Sequence, residues 1–163
     1  MSEIESISSK MYANIVTNRN TAIKLGVGVI IVDKEDRILL EQRSDNGMWG
    51  IPGGAIEPGE SVINAAIREV KEETNLDIEI DGLLGIYSEP SDGRIVTYPD
   101  NGDVRHLVDV VFTALVMVSG QMKKSDESLD LKFFQPDLIP SSIVPPAIQS
   151  IRDYTANKKF IIR

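Results

Sequence analysis

Three glutamates, Glu69, Glu72 and Glu73, stand at i, i+3 and i+4 in the segment SVINAAIREVKEET. On a helix that spacing puts all three on one face. Clustered carboxylates repel one another, so a fold that keeps them together usually supplies a cation to neutralise them. Hard oxygen ligands of this kind suit Mg²⁺ or Mn²⁺. Ions bound this way commonly bridge to phosphate oxygens. The cluster therefore points to metal-assisted chemistry on a phosphorylated substrate.

The elements around the cluster must hold it in place. Ser61 is a suitable N-cap, which starts a helix running to about Thr74. On its helical wheel Ile63, Ile67 and Val70 share one side, expected to pack on a sheet, while the glutamates occupy another and line a cleft. Gly50 to Gly54 holds three glycines and a proline, which reads as too irregular for a regular element. Gly53 and Gly54 allow backbone conformations that other residues resist. Upstream, Leu25–Asp33 and Arg37–Arg43 read as a hairpin joined at Lys34-Glu35-Asp36. Downstream, Asp77–Ser88 reads as a strand broken near Asp81-Gly82, and Arg94–Tyr98 as a short β-type stretch. Leu107–Val118 reads as a central strand, Gly120–Asp130 as a polar loop, and Leu131–Phe134 as a last strand. A C-terminal amphipathic helix covers about Pro145 to Asn157, with proline in its first turn. Before residue 25, Ile4, Ile7, Met11 and Ile15 recur at three- or four-residue spacing, which suggests a short helix or arm over residues 1–24. Mixed strands and helices of this kind make an α/β sandwich.

The segment also resembles the Nudix hydrolase signature. That pattern is Gly, five residues, Glu, seven residues, Arg-Glu, an aliphatic, any residue, Glu-Glu, any residue, Gly, an aliphatic. Here it reads Gly54, Glu60, Arg68, Glu69, Val70, Glu72, Glu73, then Asn75 in the place of the second Gly, and Leu76. RILLEQR before it and WGIPGG leading into it are similar to the family's usual approach. The resemblance implies a single Nudix domain over residues 25–163, an α/β/α sandwich with a mixed central β-sheet.

It also implies roles. Glu72 and Glu73 would be metal ligands, Gly54 would offer its carbonyl, and Glu69 would be either a third ligand or the general base. Arg68 would orient a catalytic glutamate, Glu69 or Glu60, where the bland alternative is a helical ion pair with Glu72. Glu127, with Asp126 as competitor, falls where many members carry a further acidic ligand or base. Asn75 is expected in a left-handed cap conformation, which asparagine tolerates next best after glycine. From the residues themselves, Arg43 is a phosphate contact or a surface strand end. Tyr98 is a candidate to stack on a base or ribose. Trp49 reads as packing the glycine loop, and His106 as structural.

The implied activity is Mg²⁺-dependent hydrolysis of the diphosphate in a nucleoside diphosphate linked to X, such as ADP-ribose, with Mn²⁺ able to substitute. Sanitation of oxidised or non-standard nucleoside triphosphates is the alternative within the class, and a non-catalytic nucleotide binder the alternative outside it. ADP-ribose-type members often carry a proline about 15 residues after the signature, and Pro90 lies 14 residues after Leu76 (90 − 76).

Composition sets the outer limits. The chain has 163 residues, net charge −8 and no cysteine. That length suits one domain with a sizeable core. The acidity argues against a nucleic-acid polymer as partner, though not against a small nucleotide. Without cysteine there is no disulfide, thiolate catalysis or zinc–thiolate site. No run of about 18 apolar residues marks a membrane span, and MSEIESISSK lacks the apolar core of a secretory signal. The expected setting is the cytoplasm. Many Nudix relatives pair, which admits a homodimer.

Overall fold

Alternating apolar residues in the first long strand build a sheet with two covered faces. The computed structural model describes Tyr12, residues 20–118 and residues 121–163. Strand β1 (Ala22–Val32) sends Val27, Val29 and Ile31 into one core and Ile30 and Val32 into another. The period of two that separates these sets is the strand's own geometry. β1 pairs in parallel with β7 (Val104–Val118) along its whole length and antiparallel with β2 (Ile38–Arg43). β5 (Asp77–Tyr87) lies antiparallel on the far side of β7. The order β3 (Trp49–Gly50), β2, β1, β7, β5, β9 (Ile161–Ile162) makes a mixed sheet, with β4 (Gly53–Ala55), β6 (Ile95–Thr97) and β8 (Ser128–Phe134) attached at β1, β7 and β2. Helix α1 (Val62–Thr74) covers the first face and helix α2 (Pro145–Thr155) the second. The expected α/β/α sandwich is present.

Several expected boundaries move. β1 begins at Ala22, not Leu25, and β7 at Val104, because the two strands pair from Ala22↔Arg105 onward. β8 (Ser128–Phe134) starts three residues before Leu131, pairing Ser128 with Arg43. The glycine loop is not irregular throughout. Trp49–Gly50 forms β3 on β2, and Gly53–Ala55 forms β4 on β1. A neighbouring edge supplied the ladder bonds that local composition did not favour. β6 (Ile95–Thr97) pairs with β7, and a two-residue β9 (Ile161–Ile162) adds in parallel to β5. β5 keeps one path through Gly82 by shifting register between Ile80 and Gly82. The stretch holding Ile4, Ile7, Met11 and Ile15 lies outside the described residues. Among the described residues no helix is long and apolar enough to cross a membrane.

The inward face of α1 also differs from the wheel. Ala65, Ala66, Val70 and Thr74 are buried, whereas Ile63 and Ile67 are exposed. Small residues at 65 and 66 let the helix approach the sheet closely. The helix is rotated so that Glu69 and Glu73 reach β4, and that rotation carries the two isoleucines off the core.

Candidate active site

Helix α1 and the glycine strand β4 pack against each other. Ser61 caps the helix as expected, its Oγ accepting from the backbone N–H of Asn64 at 3.2 Å. Asn75 ends it in the left-handed region, φ 60° and ψ 11°, with its N–H donating to the Lys71 carbonyl. The asparagine thus adopts the backbone for which glycine is the usual choice. Its Nδ2 also donates to the Gln121 carbonyl.

The Glu73 carboxylate accepts a hydrogen bond from the Gly53 N–H at 2.9 Å. Gly53 has φ 150°, a conformation L side chains rarely adopt, and a side chain there would strike the Val27 carbonyl. At Gly54 a methyl group would lie 2.6 Å from the Glu69 carboxylate. Gly53 is therefore required by its backbone conformation and the close pass of β1, and Gly54 by the approach of Glu69. Burial pushes Glu73 up to about 8, and the nearby Glu41 charge adds to the rise. Burial also raises Glu69, against the pull of Arg68.

Arg68 is the organiser of the helix face. Its guanidinium donates to Glu60 at 2.6 and 3.1 Å, to Glu69 at 2.9 Å, to Glu72 at 3.3 Å and to the Ala55 carbonyl at 3.1 Å. Both readings of this arginine are thus present in one geometry, with the Glu60 contact the shortest. Hydrogen bonding from Arg68 holds Glu60 below the usual carboxylate range. Glu72 is the most exposed of its partners.

A cleft of about 700 Å³ opens over these groups. Gly53, Gly54, Arg68, Glu69, Glu72 and Glu73 form one end. Arg43, Tyr98, Asp126 and Glu127 also line it, so the sequence candidates converge on one space. Arg43 is braced by two bonds to Asp45, at 2.8 and 3.0 Å. Lys24 stands 5.7 Å over the Tyr98 ring. Trp49 packs edge-on against Phe134 and His106 bonds the Ser88 carbonyl, so both are structural.

The reading of the residues missed three features. Glu41, buried on β2, accepts from Ser128, beside Glu127, and raises Glu73. Arg94 and Asp109 form an ion pair at the cleft floor. Asp109 was visible as the one acid interrupting the apolar run LVDVVFTALV. Tyr12 also reaches the cleft, where burial pushes its hydroxyl up to about 12.

Among the described residues no three acidic or imidazole groups are already closed around a cation position. The donor set nevertheless fits a hard divalent ion. It offers only oxygens, and burial of Glu69 and Glu73 with mutual repulsion leaves a charge deficit that a cation corrects.

Comparison with known proteins places the chain among relatives. A family profile described as NUDIX domain matches residues 22–154. An ADP-ribose pyrophosphatase of Methanocaldococcus jannaschii is 35% identical over 113 residues, covering 68% of this chain and 61% of that protein. A putative 8-oxo-dGTP diphosphatase of Bacillus subtilis is 31% identical over 129 residues, covering 79% of this chain and 78% of that protein. In fold, a solved NUDIX hydrolase from Nitrosomonas europaea superposes with a TM-score of 0.65 at 24% identity, covering 90% of this chain and 78% of that one.

Proposed function

The chain belongs to the Nudix hydrolase family, enzymes acting on phosphorus-containing anhydrides, and on that premise we propose that it hydrolyses the diphosphate of a nucleoside diphosphate linked to X, with ADP-ribose or another nucleotide sugar as substrate. The observation that carries the reading is the seating of Glu73 on Gly53 and of Glu69 against Gly54, with Glu69 held by Arg68.

Glu69, Glu72, Glu73 and the Gly54 carbonyl would hold Mg²⁺, with Mn²⁺ able to substitute. When bound, the ion supplies charge neutralisation at the diphosphate and a more acidic water. Arg68 keeps the Glu69 carboxylate aimed and bears the charge of Glu60 on its far side. Glu69 or Glu127 takes the proton from the attacking water. Glu127 lines the cleft. Arg43, held by Asp45, faces the phosphates as a cation. The P–O–P bridge breaks to give a nucleoside monophosphate and phosphorylated X.

A second reading is hydrolysis of oxidised nucleoside triphosphates to the monophosphate and pyrophosphate. The Bacillus subtilis relative supports it, since its name describes that activity. A non-catalytic binder is disfavoured, because Glu60, Glu69, Glu72 and Glu73 are all retained. The test is a phosphate-release screen with Mg²⁺ over ADP-ribose, other nucleotide sugars, dinucleoside polyphosphates, and normal and oxidised nucleoside triphosphates. Turnover of a sugar nucleotide supports the first reading. Turnover of triphosphates alone selects the second, and nucleotide binding without metal-dependent turnover overturns both.

A further inference from the structure

The floor of the cleft holds a second polar centre that the hydrolytic machinery does not use. Arg94 is 1% exposed, yet it lines the cleft. Its Nη1 donates to Asp109 Oδ2 at 2.6 Å and its Nη2 to the Pro146 carbonyl at 2.7 Å. The guanidinium carbon sits 5.4 Å over the Tyr87 ring. Its buried Nε has no acceptor. A buried arginine with a donor unmet is a costly way to join β7 to α2, and an apolar pair would serve stability better.

Asp109 is only half committed. Oδ2 takes the Arg94 bond, and among the described residues no donor is recorded on Oδ1. Oδ1 faces Gly26, its register partner on β1. A methyl group at Gly26 would collide with Oδ1 and would lie 3.0 Å from the Gly54 carbonyl oxygen. With no side chain at Gly26, Oδ1 packs directly on β1 beside the Gly54 carbonyl, and the partly exposed Asp109 carboxylate presents an uncommitted oxygen to the cleft there.

Position along β1 says what belongs there. Lys24, Gly26 and Gly28 point to the same face, at steps of about 6.6 Å. Gly26 adjoins Gly54, while Lys24 stands one step farther out, against Tyr98. In a nucleotide or nucleotide sugar the ring attached directly to the phosphate is a sugar, and a base lies one unit beyond. The stretch of cleft beside Asp109 corresponds to the sugar and the Tyr98 ring to the outer group.

We propose that Asp109, held by Arg94 over Gly26, accepts a hydrogen bond from a sugar hydroxyl next to the diphosphate, so that the protein selects hydroxyl-bearing sugar nucleotides over their deoxy analogues. The inference rests on the hydrolase reading above and chooses between its two substrate classes. Asp109 is a specificity residue that touches substrate, and Arg94 positions it.

The experiment compares kcat/KM of the wild-type protein on ADP-ribose with analogues lacking single hydroxyls on either ribose, and on ATP against dATP. A hydroxyl bonded to a charged acceptor is worth about tenfold or more. One deoxy analogue is expected to fall by at least that factor. Asp109→Ala, which removes the acceptor, should erase the preference, read as the ratio of kcat/KM between the hydroxyl-bearing compound and its deoxy analogue within the one variant. Circular dichroism and thermal melts establish that the variant folds. If it does not, Gly26→Ala, whose methyl group must displace Asp109 Oδ1, should abolish the preference in its place. Equal kcat/KM for all analogues, or full discrimination surviving in a folded Asp109→Ala, overturns the proposal with the hydrolase reading intact. Absence of turnover on every compound refutes that reading instead. The same comparison is then made by calorimetric Kd, where equal affinities overturn the inference and a tenfold preference sustains it.

Discussion

The Glu73 carboxylate and the Gly53 N–H, twenty positions apart in the chain, are joined by a 2.9 Å hydrogen bond. That bond ties the helix carrying the acids to the strand carrying the glycines. Its acceptor is also an acid that burial pushes up to about 8. Replacing it with an amide keeps a group that can still accept from Gly53 but removes the charge. Glu73→Gln is therefore expected to lower kcat by about a hundredfold or more at saturating Mg²⁺, with the far-UV spectrum and melting transition preserved. Near-wild-type turnover would remove Glu73 from the ligand set.

The same burial fixes a pH dependence. Glu73 rises from an ordinary 4.5 to about 8 in the metal-free protein. Between those values the folded chain binds more protons than the unfolded chain, so stability falls as pH increases through that window. The melting temperature in EDTA should decline from pH 5 to pH 8 more steeply in wild type than in Glu73→Gln. Added Mg²⁺ should raise it most at the alkaline end, where the carboxylate is free to bind. Parallel slopes in the two proteins would refute the assignment.

Arg68 serves four acceptors with one planar group, which lysine cannot reproduce. Arg68→Lys should reduce activity by about 10- to 100-fold, as do other losses of groups that orient metal ligands. The Mg²⁺ concentration for half-maximal rate should rise at the same time. An unchanged Mg²⁺ requirement would make the arginine a helical ion pair and nothing more.

Gly54→Ala tests the close approach directly. Its methyl group would stand 2.6 Å from the Glu69 carboxylate, so either the strand or the acid must shift. The expected result is loss of turnover by about a hundredfold with a folded protein. Activity within a factor of two or so would show that Glu69 is not seated at this glycine during the reaction.

Asn75→Gly should leave activity nearly unchanged, because φ 60° is already reached with asparagine. Stability should change by less than about 1 kcal/mol. Asn75→Val should cost about 1–2 kcal/mol, since a β-branched side chain resists this backbone. A large gain of activity in Asn75→Gly would mean that the asparagine distorts the end of the helix near Glu73.

Much of this molecule was legible in the chain itself. The carboxylate spacing, the cap residues Ser61 and Asn75, the paired glycines and the hairpin are local, and local chemistry determines them. So is the Nudix signature, and with it the family. What the chain could not disclose depends on pairing across distance. Strands β3 and β4 exist only because β2 and β1 present edges to them. The rotation of α1 follows from how deeply Ala65 and Ala66 let it settle, which left Ile63 and Ile67 in solvent. Asp109 is a lone acid in an apolar run until the parallel register of β1 and β7 sets it opposite Gly26, and until β6 and its flanking turn deliver Arg94 to it. A side chain's type is written in the sequence, but its partners are chosen by sheet register and helix rotation, and those are decided only when the whole core packs.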